Sequence, residues 1–197
     1  MIFRSFTAYL IHKSSILIDT FSLEPDQIIS HDRTILEKII LPYFDRTVSV
    51  RKVLFVGCSA YTKRYKELFD NKEYWTIDPK HVKCKYGSDR HIIESITNIG
   101  KYVVKNYFDV IIMNGVIGFG LNRVGDIEQA IDACYEALAS EGILLVGWND
   151  TASRTPIDIH AIRALSRFRE YHFGPLQACH YRTEGSQRHT FSFYRKG

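Results

Sequence analysis

The sequence predicts an α/β fold of three layers, in which a mostly parallel sheet lies between helices and ends in an antiparallel hairpin. Two observations predict it. Apolar runs of strand length alternate with amphipathic stretches of helix length, as in βαβ units, and the last two strand-like runs are separated only by a polar turn. A chain of 197 residues, 45% of them hydrophobic, is long enough for one domain, residues 1–197, with a substantial core.

The predicted strands are continuous apolar runs, which indicates burial on both faces of the sheet. They are KVLFVG (52–57), YWTID (74–78), FDVIIMNG (108–115) and GILLVGWN (142–149), with a weaker candidate in RHIIESIT (90–97). The terminal hairpin is predicted from YHFGPLQACHYR (171–182) and RHTFSFYRKG (188–197), joined by TEGSQ (183–187).

Four segments have the apolar spacing of helices. HDRTILEKIILPYF (31–44) has Asp32 in its first turn and Pro42 near its end. TKRYKELF (62–69) has Thr62 as its predicted N-cap, and GDIEQAIDACYEALASEG (125–142) is expected to stop at Gly142. The fourth predicted helix is TPIDIHAIRALSRF (155–168).

Composition narrows the class of protein. The formal net charge of +4 is mild, so it permits an anionic substrate and does not favour nucleic acid. Four cysteines without a C-x-x-C pair suggest neither a disulfide framework nor a zinc site. Arg4, His12 and Lys13 interrupt the apolar N-terminus, and no apolar run reaches the ~20 residues that span a bilayer. We therefore expect a cytoplasmic protein with no membrane segment; the oligomeric state is not predicted.

A glycine turn after the first predicted strand is the first candidate for a binding site. In VGCSAYT (56–62), Gly57 suits close approach of a ligand to the backbone and a positive φ, whereas Tyr61 is placed to wall a pocket or to stack on the ligand. Asp78 ends the next strand about 20 residues later, where a carboxylate can accept hydrogen bonds from both hydroxyls of a ribose. The alternative is that Gly57 merely ends a strand.

This order of elements resembles the class I S-adenosylmethionine-dependent methyltransferases, which have a Rossmann-like fold, from about Arg51 to the C-terminus. The first strand and turn of that family usually read V-L-D-V-G-C-G-x-G, and this chain has VLFVGCSAY at 53–61. The first glycine is kept as Gly57. Ser59 and Tyr61 replace the second and third glycines, and Phe55 replaces the acid.

The resemblance implies S-adenosylmethionine as cofactor and assigns its contacts residue by residue. The glycine turn would pass beneath the methionine moiety, the acid after the second strand would hold the ribose, Glu94 or Ser95 would touch the adenine, and Asn-Gly after the fourth strand would lie beside the sulfonium. The predicted cofactor-binding residues are Gly57, Cys58, Ser59, Tyr61, Asp78, Glu94, Asn114 and Gly115.

The methyl acceptor is predicted from what the chain can use as a cap. Residues 1–44, with the helix at 31–44 and the glycine-rich loop after Asn114, would cover a core formed by residues 51–197, which suits a small-molecule acceptor methylated on oxygen or nitrogen. His31, Asp150, His180 and His189 are candidate bases in no recognisable catalytic pair, so the catalytic residue stays unknown and no metal site is predicted.

Three alternatives stay open. Three departures in one motif favour a non-catalytic binding protein with the same fold. Arginines interleaved with aromatic residues after position 160 permit RNA or a phosphorylated small molecule as partner. A nicotinamide-dependent oxidoreductase also uses a glycine turn and an acid, but the G-x-G-x-x-G pattern is absent.

Overall fold

The structure is a computed structural model that describes residues 30–197; most of the predicted cap, residues 1–29, lies outside the described residues. The strands are β1 (Lys52–Val56), β2 (Glu73–Ile77), β3 (Arg90–Ile92), β4 (Phe108–Asn114), β5 (Leu138–Asn149), β6 (Phe168–Glu170), β7 (His180–Arg182) and β8 (His189–Lys196). They form one eight-stranded sheet in the order β3-β2-β1-β4-β5-β8-β6, with β7 also paired to β8. None of the helices within residues 30–197 is long and apolar enough to cross a membrane.

The direction of the strands confirms the predicted fold class. The five strands from β3 to β5 in the sheet order are parallel, whereas β8 runs antiparallel to β5, β6 and β7. The β7–β8 pair joins His180–Arg182 to Thr190–Ser192, which is the predicted terminal hairpin. Because β2, β1 and β4 are adjacent and parallel, their carboxyl ends lie at the same edge of the sheet, and the loops that follow them come together there.

The helices cover the sheet on two faces. Helix α1 comprises the consecutive segments His31–Ile35, Leu36–Ile40 and Leu41–Arg46; α2 is Tyr65–Leu68 and α3 is Val124–Ala137. One apolar cluster packs Leu36, Ile40 and Phe44 of α1 against alternate residues of the strands, and a second packs α3 against the other face. These are the three predicted layers.

Helix α1 has a π-type segment in its middle. Pro42 has no backbone N–H, so it cannot make the usual hydrogen bond to the carbonyl four residues before it. The preceding Leu41 N–H donates to the Leu36 carbonyl, five residues back, which is the pattern of a π-helix. The helix then continues to Arg46, past the predicted end at residue 44. Its amphipathic face is kept across the irregularity because Leu36, Ile40 and Leu41 are all buried.

Three sequence-based expectations about helices are wrong. Thr62 is not an N-cap: Ser59 precedes a 3-10 turn at Ala60–Thr62, and the Thr62 hydroxyl accepts the Ser59 N–H at 3.0 Å. Helix α3 ends at Ala137 and not at Gly142, because Leu138 already pairs with Phe108 in the sheet.

The third wrong expectation is the helix at 155–168. That segment contains only two 3-10 turns, Ile159–Ala161 and Arg163–Arg167. Its buried residues Ile159, Ile162 and Leu165 recur every three positions, which is the repeat of a 3-10 helix and not of an α-helix.

The last strand also completes the end of α3. Lys196 is only 8% exposed, and its ammonium donates to the carbonyls of Tyr135 and Leu138 and to Asn106 Oδ1, at 2.7 to 2.8 Å. Carbonyls at a helix C-terminus have no partner within the helix and carry partial negative charge, so a buried cation stabilises them. Burial lowers the pKa of Lys196.

Candidate functional site

A cavity of about 240 Å³ opens at the carboxyl edge of β1, β2 and β4. Seven of the eight residues predicted from the sequence line it: Gly57, Cys58, Ser59, Tyr61, Asp78, Asn114 and Gly115. The topology explains why they meet, because the loops after these neighbouring parallel strands emerge at the same edge of the sheet. Arg33, Lys80 and Lys83 also line the cavity, against the single carboxylate of Asp78, so its charged side chains are mostly cationic.

The glycine turn at the base of the cavity depends on Gly57. Its φ is +85°, which strains any residue with a side chain, and a Cβ there would lie 2.7 Å from Val116 Cγ1. Its N–H donates to the Ile77 carbonyl at 2.8 Å, which ties the turn to β2. Phe55, where the family has an acid, is 1% exposed and lies against Tyr65 at 5.2 Å between ring centroids. Phe55 therefore packs in the core and also contributes to the wall of the cavity, where the family's acid would be.

Asp78 holds two loops together. Its Oδ2 accepts the Cys58 N–H at 2.8 Å and its Oδ1 accepts the Lys80 N–H at 2.9 Å. The side chain is buried, at 8% exposure of the residue, yet it lines the cavity. A carboxylate has about four acceptor positions, so both oxygens keep capacity for a ligand's hydroxyl groups. The residue therefore shapes the glycine turn as well as facing the cavity.

The cysteine of the turn is unsuited to nucleophilic chemistry. Burial, and secondarily the Asp78 carboxylate, raise the pKa of the Cys58 thiol to about 12. A nucleophilic cysteine needs a low pKa, because the thiolate is the reactive form. We therefore assign Cys58 no covalent role.

Glu94 lies outside the lining of the cavity, whereas its neighbour Ser95 is part of it. The Glu94 carboxylate accepts the Ser95 N–H at 2.8 Å, which also lowers the pKa of Glu94. Ser95 Oγ accepts the Thr97 N–H at 3.4 Å and the Thr97 hydroxyl at 2.9 Å. Of the two candidates from the sequence, Ser95 is the one placed to meet a ligand.

Asn114 ends β4 with its side chain resting on β5. A Cβ on Gly147 would collide with Asn114 Oδ1, so the absence of a side chain at 147 makes room for the amide. His189 Nε2 lies 3.0 Å from the same oxygen. Gly115, at φ +69°, turns the chain away from the strand at this point.

Arg33, like Lys80 and Lys83, is a cavity residue that was not predicted from the sequence. It comes from α1, its side chain is 11% exposed, and its guanidinium carbon lies 3.7 Å from the Tyr61 ring centroid. Nη1 donates to Tyr65 Oη at 2.7 Å, and Tyr65 in turn donates to Glu37 at 2.8 Å. Nε is buried with no hydrogen-bond partner within residues 30–197, and it pairs electrostatically with Glu37 Oε1 at 3.9 Å. One feature of the sequence could have indicated it. A cation in the first turn of a helix is unfavourable next to the positive end of the helix dipole, so an arginine there suggests a role outside the helix.

The mouth of the cavity carries an exposed aromatic ring. Phe119 is 51% exposed and lines the cavity, with the Arg154 guanidinium carbon 5.1 Å from its ring centroid. Gly118, at φ +83°, lets the loops after β4 and β5 touch, since a Cβ there would lie 2.5 Å from the Arg154 carbonyl oxygen. The exposed part of this ring is a surface on which a planar apolar group of a ligand can pack.

The four candidate bases from the sequence are outside the lining of this cavity. Asp150 lies 3.4 Å from Arg182 and from Arg188, and His180 lies between Ser192 and Glu170 at 2.6 and 3.0 Å. Only His189 touches a cavity residue, Asn114. Among the described residues, no group of three or more His, Cys, Asp or Glu side chains is arranged to hold a metal ion.

Comparison with known proteins gives a match by structure and none by sequence. No family model matches the chain, and no curated protein matches it significantly. The N-methyltransferase NodS from Bradyrhizobium japonicum WM9, solved with S-adenosyl-L-homocysteine, aligns with a TM-score of 0.64 and 16% identity over 84% of this chain and 87% of its own.

Two other solved structures agree with this match. Magnesium protoporphyrin IX methyltransferase (ChlM) from Synechocystis PCC 6803, with bound S-adenosylmethionine, aligns with a TM-score of 0.61 and 10% identity over 93% of this chain and 92% of its own. An S-adenosylmethionine-dependent methyltransferase from Archaeoglobus fulgidus aligns with a TM-score of 0.58 and 13% identity over 84% of this chain and 93% of its own. The chain therefore has the fold of the class I S-adenosylmethionine-dependent methyltransferases.

Proposed function

We propose that the cavity binds S-adenosylmethionine and that the protein transfers its methyl group to a small-molecule acceptor, on oxygen or nitrogen. The observation that carries the proposal is the meeting, in one cavity, of a positive-φ glycine turn, a buried aspartate after the neighbouring strand and an amide after the next one. The fold points to the same ligand, since two of the structural matches were solved with this cofactor or its product.

The residues present fit the two ends of the cofactor. Asp78, Ser95 and the apolar Ile96 would hold the adenosine end, where a ribose offers two donors and an adenine offers an apolar face. Arg33 would meet the α-carboxylate of the methionine end. Its Nε makes no hydrogen bond within residues 30–197, with Glu37 Oε1 3.9 Å away, and its guanidinium lies over Tyr61, the residue at the position of the third glycine. The cation is therefore held beside the turn. A carboxylate is the anion that a guanidinium recognises best.

The chemistry asks little of the protein beyond alignment. When bound, the cofactor supplies a methyl group already activated by a sulfonium, and transfer is an in-line displacement. The chain's part is to exclude water, to orient the acceptor's lone pair and to take up a proton where the acceptor is a hydroxyl. The cavity is walled by Val116, Phe119 and Leu121, which favours exclusion of water. Cys58 is not proposed as the base, because burial and Asp78 raise the pKa of its thiol to about 12.

A compact acceptor is favoured over a nucleic acid. The arginines that suggested an RNA surface are mostly in ion pairs with carboxylates of the same protein: Arg167 with Asp132 and Glu136, Arg169 and Arg195 with Glu141, and Arg182 and Arg188 with Asp150. Phosphates would have to compete with these carboxylates. The exposed Phe119 at the mouth suits an acceptor with an apolar or planar part.

Calorimetric titration with S-adenosylmethionine, S-adenosylhomocysteine and NADH tests the proposal. We expect the first two to bind and NADH not to bind. Heat from NADH alone would favour the oxidoreductase, and no heat from any ligand at millimolar concentration would refute cofactor binding. Metabolite mass spectrometry of a deletion strain against its parent then identifies the acceptor; a protein that binds S-adenosylhomocysteine but changes no methylated metabolite would be a non-catalytic relative.

A further inference from the structure

The amide of Asn114 belongs to a chain of hydrogen bonds that runs away from the cavity. His189 is 3% exposed, with Nε2 3.0 Å from Asn114 Oδ1 and Nδ1 2.7 Å from Asn149 Oδ1. Asn149 Nδ2 donates onward to Gln187 Oε1 at 3.0 Å. The chain therefore joins the cavity to the exposed end of the β7–β8 turn through one buried ring.

The arrangement constrains which atoms carry protons. Two carbonyl oxygens facing one imidazole would both need an N–H, but a neutral ring has only one. Burial disfavours the charged ring and lowers the pKa of His189 to about 4, so the ring is neutral at physiological pH. One of the two amides must therefore present its NH₂ group to the ring, and the assignment of amide oxygen and nitrogen follows from the network.

The network selects one solution. If Asn149 keeps its NH₂ on Gln187, its oxygen accepts from His189 Nδ1–H, Nε2 is a lone pair, and Asn114 must turn its NH₂ to the ring. The opposite tautomer would require both Asn149 and Gln187 to reverse. The solution with one reversed amide keeps the short 2.7 Å bond at Nδ1 as a donor bond and leaves the Asn114 carbonyl oxygen free on the side away from the ring.

We propose that His189 is a positioning residue that fixes the Asn114 amide with its carbonyl oxygen toward the cavity, where that oxygen accepts a hydrogen bond at the position of the transferred methyl group or of the acceptor. This inference rests on the proposed function, since it assigns a direction to one contact of that site. Gly147 supports it sterically, because the amide lies where a side chain at 147 would be.

An analogue with a donor at the methyl position tests the direction of the amide. In sinefungin a carbon bearing a protonated amine replaces the methylsulfonium, whereas S-adenosylhomocysteine has neither a methyl group nor a donor there. We expect the wild type to bind sinefungin roughly tenfold more tightly, the equivalent of one charge-assisted hydrogen bond. We expect His189→Phe, which keeps the ring volume, to abolish the preference while the Kd for S-adenosylhomocysteine changes by less than about twofold.

Three further variants separate positioning from a general structural role. Asn114→Ala should lose the same preference, and the double variant should lose no more than either single one, because His189 acts only through Asn114. His189→Gln keeps one donor and one acceptor and should retain most of the preference. His172→Phe, at an exposed histidine, is the matched control and should behave as wild type. Equal weakening of both ligands by His189→Phe, an additive double variant, or a wild type without preference would overturn the inference.

The tautomer can be read without any ligand or variant. A long-range ¹H–¹⁵N correlation spectrum of the wild type at neutral pH should show a protonated Nδ1 and an unprotonated Nε2 for His189. The reverse pattern, or a doubly protonated ring, would overturn the inference even if His189→Phe does not fold. Failure of the proposed function is distinguishable, since a protein that binds none of the ligands would still report its tautomer.

Discussion

Replacing Arg33 by Met tests the methionine end of the site, because it removes the charge and keeps an unbranched apolar stem. The Arg33 side chain is 11% exposed, so its hydrogen bond to a ligand carboxylate is poorly screened by water. Hydrogen bonds to charged groups contribute about 1.5–3 kcal/mol, which corresponds to roughly 10- to 150-fold in affinity. We expect that loss for S-adenosylhomocysteine, measured by isothermal titration calorimetry.

The decisive comparison uses a ligand that lacks the anion. Decarboxylated S-adenosylhomocysteine keeps the adenosine, thioether and amine, so wild type and Arg33→Met should bind it about equally, within a few tenths of a kcal/mol. Arg46→Met, at the exposed end of the same helix, is the control for loss of a cation from α1. If Arg33→Met weakens both ligands by the same factor, or neither, then Arg33 does not bind the carboxylate. Urea denaturation of both variants reports any loss of fold.

Three other perturbations have definite expected results. Gly57→Ala should abolish detectable S-adenosylhomocysteine binding and lower the unfolding midpoint in urea, because of the +85° φ and the clash with Val116. The control Gly100→Ala, in open space at an ordinary φ, should change neither quantity. A Gly57→Ala protein that binds normally would show that Gly57 only ends a strand. Asp78→Asn should weaken S-adenosylhomocysteine binding by about 1.5–3 kcal/mol. It should also destabilise the fold, because the backbone N–H of either Cys58 or Lys80 loses its acceptor. An unchanged affinity in calorimetry would mean that Asp78 does not contact the ligand. His189 takes up a proton near pH 6.5 in the unfolded chain but only near pH 4 in the folded protein, so the free energy of unfolding should fall by about 3 kcal/mol as the pH drops through that window. His189→Phe should lose this part of the acid dependence, measured by urea denaturation at several pH values. An unchanged dependence would contradict the lowered pKa.

The parallel strands could be predicted from the sequence because their apolar character is continuous. Residues of β1 and β4 are buried on both faces, so the chain itself records their environment, and Gly57 and Asp78 follow from local turns at strand ends. The helix at 155–168 was predicted wrongly because an apolar repeat of three, at Ile159, Ile162 and Leu165, is close to the spacing of an α-helix.

The rest of the candidate site depends on contacts between distant parts of the chain. Arg33 reaches Tyr61 and Tyr65 from a helix that precedes the first strand, and His189 meets Asn114 across 75 positions in sequence. No local pattern encodes such meetings, since they exist only once α1 has packed on the sheet and β8 has inserted beside β5. Glu94 and Ser95 could not be separated for the same reason: which of two adjacent side chains faces a cavity depends on how the chain leaves β3.

The pairing of Asn114 with Gly147 has a consequence for how related sequences can diverge. Because the two positions are register neighbours in β4 and β5 and the amide occupies the space of a missing side chain, neither residue can change freely while the other is kept. In relatives of this chain, an alanine or larger residue at the position of Gly147 should occur together with a smaller residue at the position of Asn114. A lineage that made this exchange would also lose its reason to keep a histidine at position 189, so the three positions should vary as one unit.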